Sequence, residues 1–133
     1  MPLDIVWIGN DLDYMLLARR ALRSHGVSNP VVCLQGVELG RAYLGCFNRS
    51  ERRDSFPCLI VIEVRIPILE GIALLGWIRA RPALTTVPIV FLDAESGIDI
   101  QKAKELGATE VLKKDWESDA IAALVVRMIR EWL

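Results

Sequence analysis

A single histidine, three cysteines and no apolar stretch of membrane-spanning length set the first limits on this chain of 133 residues. His25 stands alone at the end of a helical pattern, so neither a histidine-rich metal site nor a hydrolase of the histidine-base type has its parts. It reads as a helix-terminal residue near the negative end of the helix dipole. Cys33, Cys46 and Cys58 are odd in number and lack both Cys-x-x-Cys and metal-ligand spacing. That excludes a disulfide framework or a zinc site and leaves small core residues of a reducing compartment. A transmembrane helix needs roughly eighteen or more consecutive apolar residues, and none is present. Nor does either sign of charge dominate. With 16 basic and 17 acidic residues, nothing electrostatic favours nucleic acid or an anionic membrane as partner. Gly-rich phosphate cradles, GxxxxGK patterns, solenoid repeats and low-complexity tracts are also missing.

What is abundant is apolar residue, 53% of the chain, enough for one domain over residues 1–133 with a sizeable core. Strand-like and helix-like patterns alternate five times. The expected strands are Ile5 to Ile8, a weaker Val31 to Leu34, Cys58 to Glu63, Ile89 to Leu92 and Glu110 to Leu112. Between them lie helices over about Asp13 to Ser24 (Tyr14, Leu17, Ala18, Ala21 and Leu22 inward), Val37 to Phe47, a helix carrying Leu69, Ile72, Leu75 and Ile78, and Ile98 to Leu106. A final helix carries the stripe Ile121, Leu124, Val125, Met128, Ile129 and Trp132. Alternation of this kind predicts an α/β, three-layer, doubly wound (βα)5 flavodoxin-like fold on a five-stranded parallel sheet. The polar segment from Asn48 to Ser55 reads as a solvated loop.

Glu63 stands out because it ends the apolar run Leu59-Ile60-Val61-Ile62. A buried parallel strand that stops in an acid delivers that acid to the carboxyl edge of the sheet, where open α/β folds keep their chemistry. Gly9, Asn10 and Asp11 follow the first strand, Asp93 the fourth and Lys114 the fifth. All are expected on the same rim.

The blocks Val6-Trp7-Ile8-Gly9-Asn10-Asp11, Ile60-Val61-Ile62-Glu63-Val64-Arg65-Ile66-Pro67 with Glu70-Gly71, Val87 to Ala94, and Leu106-Gly107-Ala108-Thr109 with Leu112-Lys113-Lys114 together resemble the receiver domain of two-component response regulators. The likeness runs essentially from end to end. It implies a CheY-like signalling module in a phosphorelay, without catalysis of its own. The long loop around Arg52 is similar to that of phytochrome-associated regulators. On the family pattern Glu63 matches the phosphoacceptor aspartate, Lys114 the lysine after strand five and Asp93 the hydroxyl residue after strand four. Gly9, Asn10, Asp11 and Arg65 match the metal-site positions, in degenerate form. Glu63 is one methylene longer than aspartate, Asp93 would repel a phosphoryl group, and a glycine and an amide replace the acids a hard Mg²⁺ ion needs. Asp11, one position along, is the one acid left to stand in. Val111 occupies the aromatic-switch position and lacks a ring.

The resulting expectation is a pseudo-receiver without a cofactor, its Mg²⁺ site poorly furnished, and cytoplasmic. Glu63 would face Lys114 and imitate the phosphorylated form, or these charges would merely satisfy one another at a solvent-exposed rim. The expected partner is a protein, with a sensor histidine kinase or an effector domain as candidates and no role for nucleic acid or membrane. A homodimer through the helix 4, strand 5, helix 5 face would use Val111, Trp116 and Trp132; Trp77 is a further aromatic to place. Two alternatives stay open: a working phosphoreceiver that takes phosphate on Glu63 or a nearby acid, and a flavodoxin-like nucleotide or flavin binder.

Overall fold

A computed structural model describes residues 3–47, 56–63, 68–92, 97–112 and 118–132. The strands are β1 (Ile5–Gly9), β2 (Val31–Gln35), β3 (Leu59–Glu63), β4 (Ile89–Leu92) and β5 (Glu110–Leu112), and the helices α1 (Leu12–Ser24), α2 (Val37–Leu44), α3 (Ile68–Arg79), α4 (Gly97–Glu105) and α5 (Ser118–Trp132). A short 3₁₀ turn at Pro82–Leu84 leads into β4. The sheet is parallel throughout, in the order β2-β1-β3-β4-β5. This is the α/β flavodoxin-like architecture that the alternation predicted.

Side chains alternate across a strand, so each apolar strand feeds two cores. Ile5 and Trp7, Leu59 and Val61, Val90 and Leu92 enter the layer shared with α1 and α5. Val6 and Ile8, Ile60 and Ile62, Ile89 and Phe91 enter the layer shared with α2, α3 and α4. Two residues expected inside are out. Leu17 is 47% and Leu69 66% exposed, and the inward positions on their helices belong to Met15 and Leu74. α2 ends at Leu44 rather than Phe47, where Gly45 takes the C-cap and Phe47 leaves the helix to meet other rings.

Those rings form a chain at the amino edge of the sheet. Phe47 packs edge-on to Tyr43 at 5.8 Å and to Phe56 at 5.7 Å, and the Tyr43 hydroxyl reaches Asp4 Oδ2 at 3.2 Å. Trp77 is half-buried against the second core, with the Arg81 guanidinium 4.7 Å over its ring. It serves its own helix before any interface.

Arg79 ties three segments at the same edge. It donates to Gly107 O at 2.8 Å, Leu84 O at 3.0 Å and Val87 O at 2.7 Å. Gly107 sits at φ +105°, and a Cβ there would lie 3.0 Å from the Arg79 side chain, so the turn needs glycine twice over. Arg79→Leu strips the donor from several partly buried carbonyls and is expected to destabilise the domain by about 2–4 kcal/mol, read as a lower midpoint in urea.

The three thiols are all free, but they are not three core residues: Cys58 is buried, Cys33 half-buried and Cys46 exposed. Burial pushes the Cys58 and Cys33 thiols up from their ordinary value, which lowers the thiolate fraction at any given pH. A thiol-reactive disulfide reagent at neutral pH should therefore modify Cys46 first and Cys58 only when the protein unfolds. Simultaneous modification of Cys46 and Cys58 in the native protein would contradict this ordering.

Candidate functional site

β1 and β3 are neighbours, and their register sets Trp7 beside Val61 and Gly9 beside Glu63. Trp7, Gly9, Val61 and Glu63 thus alternate onto one face, and Trp7 and Glu63 are diagonal neighbours that long side chains can bridge. They do. The indole Nε1 donates to Glu63 Oε2 at 2.8 Å inside the protein. Glu63 is only 3% exposed, the one buried polar or charged residue among those described. The acid is not on a solvent-exposed rim, because its extra methylene and the indole donor take the carboxylate inward. A hydrogen bond of this kind offsets part of the cost of burying the acid.

Gly9 supplies the space. A Cβ on it would come within 3.0 Å of Glu63 O, 3.2 Å of Glu63 Cβ and 3.4 Å of Glu63 Oε2. Any side chain at the first position matching a metal acid would crowd the glutamate that stands opposite. Trp7 also packs against Tyr14 of α1, ring centroids 6.4 Å apart. Sequence reasoning missed Trp7: a tryptophan inside an apolar strand reads as core, and only the register reveals what its N–H can reach.

Asn10 is exposed just after β1. Asp11 has a structural duty, since it is the N-cap of α1 and its Oδ1 accepts from Tyr14 N at 3.1 Å. That employment counts against its standing in for a lost metal acid. Beside β1 the described side-chain donors are therefore the Asn10 amide and the capping Asp11 carboxylate, with Glu63 engaged by Trp7 through Oε2. Among the described residues no group of three His, Cys, Asp or Glu could hold a metal ion. Val111 is half-buried and packs against the second core. Arg65, Asp93, Lys114 and Trp116 lie outside the described residues, and so does the expected Glu63 to Lys114 contact. Trp132 ends α5, and its side chain is likewise outside them. His25 is the C-cap of α1, its Nδ1 2.8 Å from Ala21 O; a carbonyl only accepts, so that nitrogen carries the proton.

An open depression of about 430 Å³ at the end of β2 is lined by Gln35 to Leu39, Arg41 and Glu70. The carboxylates of Glu38 and Glu70 are an unpromising lining for the phosphates of a nucleotide or flavin.

Comparison with solved structures decides the fold. The phosphorylated cyanobacterial phytochrome response regulator RcpA superposes with a TM-score of 0.79 at 21% identity, covering 99% of this chain and 94% of that one. The fold is that of a response-regulator receiver domain. The chemotaxis response regulator CheY4 of Vibrio cholerae shares it, with a TM-score of 0.77, 16% identity and coverage of 96% and 99%. In sequence, the transcriptional regulatory protein PrrA of Mycobacterium tuberculosis is 26% identical over 127 residues, which is 95% of this chain and 49% of PrrA. The receiver-like chain thus spans about half the length of this curated relative. No family model matches it.

The capping role of Asp11 separates cleanly from a metal role. Asp11→Ala should cost about 1 kcal/mol in chemical denaturation, while Asp11→Asn, which also caps, should cost little. Equal loss in both variants would contradict the cap.

Proposed function

We propose that this receiver domain is a signalling module that works by phosphorylation-independent protein–protein interaction, with no catalysis of its own. One observation carries the reading: the side chain at the phosphoacceptor position, Glu63, is 3% exposed and bound through Oε2 by the Trp7 indole. A nucleophile must present its oxygen to the incoming phosphorus, and a displacement on the order of 1 Å can cost about a hundredfold in rate. Gly9 in place of an acid and Asp11 engaged as a cap support the same conclusion, because they leave little to hold the metal that phosphoryl transfer uses.

A binding role needs surface, and apolar side chains are open on three helices: Leu12 at 43% and Leu16 at 39% on α1, Leu39 at 53% on α2, Leu69 at 66% on α3. These offer apolar surface to a protein partner; the candidate classes that the resemblance supplies are a sensor histidine kinase or an effector domain, in a cytoplasmic setting. A homodimer through α4, β5 and α5 is a further proposal that rests on the resemblance. Among the described residues no helix is long and apolar enough to cross a membrane.

Incubation of the chain with acetyl phosphate or phosphoramidate and Mg²⁺, followed by intact mass measurement, tests the reading. The expected mass is unchanged; a phosphoryl adduct mapped to Glu63 or an adjacent acid would establish the phosphoreceiver alternative instead.

A further inference from the structure

We infer that Trp7 is the positioning residue of this site: with the space vacated by Gly9, its indole N–H latches the Glu63 carboxylate into the layer between the sheet and α1. The inference rests on the phosphorylation-independent reading above and adds what maintains it. In this arrangement the chain's own indole N–H helps to place the acid.

Three independent features of the chain agree on it. The first is geometry, since the 2.8 Å contact joins a donor-only nitrogen to a carboxylate oxygen and both groups are buried. The second is chain length. Trp7 and Glu63 are one diagonal apart on neighbouring strands, a span that the longer glutamate side chain is better able to cross than aspartate. The third is space, because a Cβ at Gly9 would press on the Glu63 backbone oxygen, Cβ and Oε2 together. Tryptophan, glycine and glutamate at these positions thus depend on one another. A buried indole N–H needs an acceptor as much as the carboxylate needs a donor, so loss of either partner leaves a buried polar group exposed to a desolvation penalty.

The ring also gives the latch an outlet. Trp7 touches Tyr14, whose backbone N–H is the one capped by Asp11 in the first turn of α1. Movement of the indole would therefore be felt where α1 begins, beside the exposed Leu12.

Carboxyl footprinting of the full chain with a water-soluble carbodiimide and an amine, quantified by peptide mass spectrometry, tests the latch. In the wild type Glu63 should label far more slowly than exposed Glu38. In Trp7→Phe, which keeps a ring but removes the donor, Glu63 labelling should rise by about tenfold or more while Glu38 stays constant. A second readout does not depend on that variant folding. The indole ¹H–¹⁵N resonance of Trp7 should lie downfield in the wild type, stay close in Glu63→Gln and move upfield in Glu63→Ala. Wild-type Glu63 labelling as fast as Glu38, unchanged labelling in a folded Trp7→Phe, or an indole resonance unmoved in Glu63→Ala would each overturn the latch. None of these results would phosphorylate the protein, so the latch can fail while the phosphorylation-independent reading stands; a phosphoryl adduct on wild-type Glu63 would remove that reading and the latch's purpose with it.

Discussion

The register of β1 against β3 is the constraint on which the acidic edge depends. Because side chains alternate with period two, a slip of one residue would send Trp7 into the opposite core and leave Glu63 facing different neighbours. What fixes the register is packing, since a slip of β1 would exchange Ile5 and Trp7 with Val6 and Ile8 between two close-packed cores. The Trp7 to Glu63 hydrogen bond inherits that precision. A side-chain contact between residues 56 positions apart is thereby set by the pairing of two strands.

Much of the architecture was legible in the residues. Strands β3 and β4 declare themselves as short apolar runs, Leu59 to Ile62 and Ile89 to Leu92, each followed in the sequence by an acid. Gly26 and Gly107, both at positive φ, mark helix ends as the sequence suggested. Helix faces were read less well. Leu17 and Leu69 satisfy helical spacing, yet hydrophobic periodicity finds a stripe and not its edges, and a leucine on the flank of the stripe can fall on either side. Cys46 shows the same limit, since composition alone does not tell an α2 terminus from a core position.

The site was legible in position and not in state. Strand-end reasoning put Glu63 where a reactive group belongs, and the family pattern marked Gly9 and Asn10 as departures. Neither could show that the departures are compensatory. Gly9 read as a lost acid; in three dimensions it is the clearance that admits a longer one. Trp7 read as filler; its nitrogen supplies a donor to the carboxylate. A sequence records which residue types were exchanged, whereas the pairing of exchanges across two strands exists only once the register is known. Glu63 thus meets a protein donor, the Trp7 indole, through its Oε2.

The aromatic contact between Phe47 and Phe56 has a consequence of a different kind. The two rings meet across the stretch that joins α2 to β3, so the ends of that connection are held together by packing whatever lies between them. Phe47, just past α2, and Phe56, just ahead of β3, are therefore held against each other edge to face, so the placement of these two elements is set by ring packing as well as by the covalent chain, at the edge of the sheet opposite the buried glutamate.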